Sequence, residues 1–536
     1  MDSGDQQLGV ELDAATRARR PLGAALAVAF FLVGLASLDD YGITWDESNS
    51  YVAGLQNLEM VRGVLVGEET PDWPFQEIPG YQFVFDALRS LFATQANALF
   101  FEPISPLGFH LFNLLLASAS LWLLYRLIFE LTGRNRIALL GALALAAFPK
   151  FLAHSQNNPK DLIALFCFNV SLLLVVRAAC RPLRFSVPAG LGLGLALASH
   201  VLSVFAIFIA AVWMLAVGKG AWRQRFLRLA TVAAVAAPTA LICWPWLWAE
   251  TGARLQWMVE HLTSFTPDEV VLYLGTLYPR ADPPWHYSPV LLAASTPLLF
   301  LITASIGAFQ IRPGAAGRRL AQLALLWVAV LLVSDLLAPS HYGGVRHLLP
   351  ILPPMAGLVA LGINTVWERI RSGSRLAGSL LGIALAAGSV ALAVDLVRSH
   401  PYHDAYLNVV GRFVWADEPE RSLELEVWGG VYKEGAEWLL EHAERGGAVV
   451  VPIASHCTLP YLEDRMPVYE MLPSEVEERP IYLMVMTRVS EYTPLIRRAT
   501  EQLDPIFSVR RGNATYLEIY RLLDGASGSR GGNHGV

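Results

Sequence analysis

The sequence predicts an all-α polytopic membrane protein that carries a small α/β domain at its C-terminal end. Three observations predict this. Of 536 residues, 54% are hydrophobic and only 16% are charged, with a mean hydropathy of +0.43, whereas a soluble domain has roughly a quarter of its residues charged. Apolar runs of roughly 17–22 residues, each long enough to cross a bilayer, recur through the first three quarters and end at Arg or Lys clusters. After Asp395 the long runs stop and shorter, alternating patterns take over. The net charge of −6 sums these two unlike regions and says little by itself. No basic block with interleaved aromatics points to nucleic acid.

The elements follow in order. Residues 1–20 form a polar tail with Arg17, Arg19 and Arg20 before the first apolar run, Pro21 to Leu38. That run has no small-residue cleavage site behind it and reads as a retained helix. Further basic clusters stand at Arg126/Arg134/Arg136, Arg177/Arg181/Arg184, Lys219/Arg223/Arg225/Arg228, Arg312/Arg318/Arg319 and Arg369/Arg371/Arg375. The positive-inside rule puts all six clusters in the cytoplasm. The loops 39–106, 150–160, 249–288 and 338–347 are acidic or aromatic and fall outside. The stretch 186–217 lies between two cytoplasmic clusters, so it crosses an even number of times, as two short helices turning near Ser199 and His200. About eleven helices result over 21–395, and the odd number sends the C-terminus outside.

Residues 396–522 form the predicted α/β domain. WGGVYKEGAEWLLEHAERG reads as an amphipathic helix with Trp438, Leu439 and Leu440 on its apolar face, and SEYTPLIRRATEQL as a second. GAVVVPI and IYLMVMT read as buried strands, and NATYLEIYRL alternates as a final strand. The Gly/Ser-rich tail 523–536 reads as disordered. Cys167, Cys180, Cys243 and Cys457 lack any metal-ligand spacing and do not form a disulfide framework.

Three polar motifs sit in three loops that the charge pattern assigns to one face. The first, DDYGITWDESNSY, places Asp46 beside Glu47 just past the first helix. An acidic pair at a membrane boundary can deprotonate a nucleophile or bind a cation; the alternative is a solvated helix end. The segment after it, about 51–106, has amphipathic stretches and aromatics (Trp73, Tyr81, Phe83, Phe85) suited to lying along the interface. The second motif, HSQNNPKD, supplies His154, Lys160 and Asp161. Lys160 is a point charge suited to a phosphate, or else it pairs with Asp161 and caps the next helix. The third, PSHYGGVRHLLP, supplies His341, Tyr342, Arg346 and His347 around two glycines. An arginine at this depth can fork onto a lipid phosphate, or merely snorkel to the interface. His200 reads as a packing histidine, and WPWLW at 244–248 as an interfacial aromatic belt.

ITWDESNSY, HSQNNPKD and HYGGVRHLLPILPP, followed by HPYHDAYLN and WGGVYKEGAEWL, make the chain resemble the bacterial relatives of the protein O-mannosyltransferases. The likeness spans about residues 30–440. It implies a GT-C fold and an inverting transfer of a mannose or other hexose or pentose from a polyprenyl-phosphate sugar, at the extracytoplasmic face of the cell membrane. It also implies that an acid of the first loop, Asp46 or Glu47, is the base, with Asp46 preferred because the first acid of the pair more often faces the acceptor. Lys160, Arg346 and His347 would hold the donor phosphate, and Asp161, His154, His341 and Tyr342 are further site candidates. No cofactor is expected, although the acidic loop has the residue types for a divalent metal. Membrane lipids and a lipid, glycan or protein acceptor are the expected partners. The protein acceptor is the least supported, because nothing like the family's inserted trefoil domain stands in 249–288.

A transporter or flippase of lipid-linked sugars is the competing reading. Transporters place ionisable or helix-breaking residues near the midplane, often in two matching halves. Here the ionisable residues crowd at helix ends, and no half-to-half repeat is evident.

Overall fold

A computed structural model of the chain describes residues 21–67, 82–100, 105–248, 250–264, 269–341, 343–415, 417–425, 428–473 and 479–523. The expectations for the N-terminal tail, Trp73, Tyr81, Tyr342 and the C-terminal tail lie outside these residues. The membrane part begins with α1 (Pro21–Ala36), α2 (Glu47–Val66), α3 (Phe83–Phe100), α4 (Leu107–Thr132), α5 (Asn135–Ala146) and α6 (Pro149–Asn157). It continues through α7 (Asp161–Cys180), α8 (Ser186–Ser199), α9 (Ser203–Val217), α10 (Trp222–Ile242) and α11 (Thr251–Ser264). A hairpin of β1 (Val270–Tyr273) and β2 (Thr276–Pro279) then precedes α12 (Tyr287–Ser295), α13 (Leu298–Ala308), α14 (Arg318–Leu336), α15 (Leu352–Ser372) and α16 (Arg375–Ser399).

Six helices among the described residues are long and apolar enough to cross a membrane, or eight if the two bent pairs each count as one span. Three shorter apolar helices join them, so eleven crossings would require each of the three to cross as well. Burial sorts the long helices by position. The spans Asp161–Cys180 and Arg346–Ser372 are 78% and 83% buried, so they are the centre of the bundle. Trp222–Ile242 and Arg375–Ser399 are 11% and 6% buried, and their outward Leu, Ile and Val side chains suit lipid. The two central spans begin at Asp161 and Arg346, which puts the second and third polar motifs at the ends of the best-supported helices.

The C-terminal domain adds α17 (Val409–Val414), α18 (Tyr432–His442), β3 (Ala448–Val450), α19 (Leu459–Leu462), β4 (Val468–Tyr469), β5 (Ile481–Met486), α20 (Pro494–Gln502), β6 (Phe507–Arg511) and β7 (Ala514–Leu523). Its sheet has the order β4-β3-β5-β7-β6, parallel between β3 and its two neighbours and antiparallel across β5, β7 and β6. All six residues of β5 are buried, as expected for a central strand covered on both faces. Strands β4 and β6 are the ones that the sequence pattern did not flag.

The domain does not pack as a separate ball. Its apolar core takes in Ile43 from the first loop, Val271 and Tyr273 from the hairpin, and Tyr287. Polar contacts reinforce this grip. Lys433 Nζ reaches Asp39 Oδ1 at 2.8 Å, and Ile43 N donates to Tyr461 Oη at 3.1 Å. Gly42 lies so close to Gly430 that a Cβ there would come within 2.1 Å of its carbonyl oxygen. The loop that carries Asp46 is thus clamped between the membrane bundle and the C-terminal domain.

Candidate active site

Asp46 stands at the N-cap position of α2, yet its carboxylate makes no capping bond. It turns instead to two cations. Lys160 Nζ donates to Oδ1 at 3.0 Å, and Arg346 Nη1 donates to Oδ2 at 3.3 Å. The first, second and third polar motifs, separated by more than a hundred residues each, therefore meet at one carboxylate. Burial alone pushes the Asp46 carboxyl up, but Lys160 and Arg346 outweigh it and hold the pKa below the ordinary aspartate value.

Glu47, one residue on, turns the other way. It is 2% exposed, accepts from Thr44 N and Oγ1 at 2.9 and 2.7 Å, and lies 2.8 Å from His110 Nε2. It does not line the cavity that Asp46 faces. Neighbouring positions on a helix point about 100° apart, so adjacent acids rarely share a cavity.

Lys160 is set by its turn. Asn158 Oδ1 accepts from the backbone N–H of both Lys160 and Asp161 at 2.9 Å, closing the turn that leads across Pro159 into α7. Arg89, fully buried, pairs with Asp86 at 2.5 Å and donates to Pro159 O at 2.8 Å. This buried pair on α3 supports the turn from beneath, and the sequence reading missed it. Its signal was present as an Asp and Arg three residues apart on an otherwise uncharged helix. Asp161 is itself buried, accepting from Asn158 Nδ2 at 3.0 Å, with His347 Nδ1 at 3.5 Å and His200 Nε2 at 3.6 Å. His200 thus joins the site rather than only packing.

Arg346 is set by aromatic contact and by a glycine. Its guanidinium lies 4.7 Å from the centroid of the Trp428 ring, and its Nε is 3.4 Å from His347 Nε2. Gly343 has φ +64°, and a Cβ there would meet Arg346 Nε at 2.5 Å. Only glycine meets both demands. His341 Nε2 faces the Asp335 carbonyl at 2.9 Å. His154 is placed apart, behind Trp428. There it contacts Asn158 Nδ2 at 2.9 Å and Asp404 Oδ1 at 3.5 Å. Asp404 also binds Lys150 Nζ at 2.8 Å; burial raises its pKa, but Lys150 and His154 bring it below the ordinary value.

The C-terminal domain reaches the same loop. Trp45 N donates to Trp428 O at 2.8 Å, His456 Nε2 lies 2.9 Å from Trp45 O, and the Arg488 guanidinium lies 5.2 Å from the Trp45 ring centroid. Around these groups opens a cavity of about 610 Å³ lined by Asp46, Lys160, Asp161, His341, Arg346 and His347, among others. That volume is in the range of small-molecule sites. Among the described residues no three His, Cys, Asp or Glu side chains stand arranged to hold a metal ion.

Residues 91–248 match the family model described as dolichyl-phosphate-mannose-protein mannosyltransferase. No curated protein sequence matches the chain. Among solved structures, ArnT from Cupriavidus metallidurans bound to undecaprenyl phosphate is similar with a TM-score of 0.51 at 13% identity, covering 93% of this chain and 97% of that one. The apo state of the same protein gives a TM-score of 0.51 at 13% identity, covering 95% and 98%. Oligosaccharyltransferase AglB from Archaeoglobus fulgidus is a looser likeness, at a TM-score of 0.45, 13% identity, and 86% and 69% coverage. The chain thus shares the fold of ArnT along nearly its whole length, and the match to the mannosyltransferase family model lies within that span.

Proposed function

We propose that the protein transfers a sugar, mannose or another hexose or pentose, from a polyprenyl-phosphate donor to an acceptor hydroxyl, with inversion, at the extracytoplasmic face of the cell membrane. The observation that carries this reading is the single carboxylate of Asp46 held between Lys160 and Arg346 on the cavity wall. The undecaprenyl phosphate named for the ArnT structure supports the donor class, and the six basic clusters support the orientation.

In this mechanism the donor phosphate docks on Arg346 and Lys160. The Lys160 side chain is 44% exposed, enough to turn from Asp46 towards an incoming phosphate. As the cations turn to the phosphate, the Asp46 carboxylate loses their pull and becomes a stronger base. It takes the proton of the acceptor hydroxyl as that oxygen bonds to the anomeric carbon. The anomeric carbon–oxygen bond to phosphate breaks on the opposite side, and the leaving phosphate keeps the electron pair and gains charge. Arg346 and Lys160 stabilise that charge, so no separate general acid is needed. His347, between Arg346 and Asp161, holds the guanidinium's orientation.

The test is a reaction of the purified protein with a panel of polyprenyl-phosphate sugars, following sugar release and acceptor labelling. Consumption of one donor with formation of polyprenyl phosphate is the expected result. No turnover of any donor, together with movement of an intact lipid-linked sugar across vesicles, would instead establish the transporter reading.

A further inference from the structure

The cavity has a second end whose chemistry differs from the Asp46 end. Arg280 and Arg488 line it and are only 7% and 8% exposed. Both face Glu491, at 3.7 and 3.4 Å, and Arg280 also pairs with Glu269. Asp335 and His341 complete the wall, with His341 N donating to Arg280 O at 2.8 Å. Three distant parts of the chain supply these groups: the hairpin, the end of α14 and the C-terminal domain.

Stability does not account for this wall. The ion pairs themselves contribute little, because Glu491 and Glu269 are 30% and 52% exposed and solvent screens them. The buried Nε of Arg488 and Nδ1 of His341 have no hydrogen-bond partner among the described residues. Both side chains also line the cavity, which brings a guanidinium and an imidazole to its wall.

The charge balance indicates which ligand. Two arginines stand against Glu269, Glu491 and Asp335, so this end has no excess of positive charge to hold a phosphate. It offers N–H donors and carboxylate acceptors side by side, the complement of hydroxyl groups that both donate and accept. It also adjoins Asp46, because Arg488 stacks on Trp45, the residue immediately before it.

We propose that this end is the acceptor subsite and that the acceptor is a neutral, polyhydroxylated carbohydrate whose hydroxyl is presented to Asp46. The proposal rests on the transferase reading above. It assigns Arg488 and Glu491, from the C-terminal domain, to substrate recognition.

The experiment uses the full-length protein in nanodiscs with the polyprenyl-phosphate sugar that the donor panel selects. The acceptor probes are an alkyl maltoside and a serine-containing peptide. Transfer to the maltoside is expected, with Glu491→Gln and Arg488→Gln each raising the acceptor KM by about tenfold or more, the size of one lost charged hydrogen bond. The donor KM should move less than about twofold, well under the tenfold that a lost hydrogen bond gives. Should Arg488→Gln fail to fold, His341→Gln takes its place beside Glu491→Gln, with the same expectation. Transfer to the peptide alone, donor hydrolysis without transfer to either probe, or equal rises in both KM values would overturn the proposal. Absence of any donor consumption by the wild-type protein would instead count against the transferase reading itself.

Discussion

Asp46 and Glu47 are neighbours with opposite surroundings, one on the cavity wall between two cations and one buried against Thr44 and His110. We predict that Asp46→Asn lowers kcat by roughly 10²–10⁴-fold, the usual contribution of a general base, with little change in donor KM. Steady-state kinetics on the purified variant measure both. Glu47→Gln should act differently: it weakens a buried charged contact and costs about 1–3 kcal/mol of stability, read from thermal or denaturant unfolding. The pH dependence follows from the direction of the Asp46 shift. Its pKa in the free enzyme lies below the ordinary aspartate value, so the base stays ionised as pH falls and is lost only below it. The kcat/KM profile should therefore show no acid limb from this residue above about pH 4. The meeting of the three loops was legible in the sequence, because the charge pattern assigns Asp46, Lys160 and Arg346 to one face. Which acid meets the cavity was not, since that depends on the helix start and on where Lys160 and Arg346 arrive.

At the scale of elements, the site depends on supports such as Arg89 and His456, which do not line the cavity themselves. Arg89 on α3 holds the Pro159 carbonyl and pairs with Asp86 inside the bundle. Arg89→Ala would leave Asp86 buried without its partner, and we predict a loss of roughly 3–5 kcal/mol in stability, measured by denaturant unfolding. His456 and Trp428 hold the Trp45 peptide from the C-terminal side. His456→Ala should lower kcat by on the order of tenfold with donor KM nearly unchanged, because it lets the base drift by a fraction of an ångström. The helices α18 and α20 and the strands β3, β5 and β7 were readable from periodicity, because each buries one consistent face or is buried on both. The convergence of Arg280, Arg488 and Glu491 was not. IYLMVMT reads as a strand and SEYTPLIRRATEQL as a helix, and the meeting of Arg488, between them, with Trp45 arises only when the domain docks on the first loop.

For the whole molecule, the two central spans, Asp161–Cys180 and Arg346–Ser372, begin where their polar residues meet, while the lipid-facing spans carry none of the site. This arrangement follows from solvation. Charged groups at span ends can reach the headgroup region, whereas the same groups at the midplane would be costly. The basic clusters predict the orientation, and a reporter fused after residue 396 should be active only outside the cytoplasm. Activity only in the cytoplasm would overturn both the orientation and the outward-facing site. The central claim, that Asp46 takes the acceptor proton while Arg346 and Lys160 hold the donor phosphate, is tested most directly by donor binding and single-turnover transfer on Asp46→Asn and Arg346→Ala side by side. The account predicts that Asp46→Asn binds donor almost normally but transfers roughly 10²–10⁴-fold more slowly, whereas Arg346→Ala loses donor affinity as well as rate. Near-normal transfer by Asp46→Asn, or unchanged donor affinity in Arg346→Ala, would contradict it.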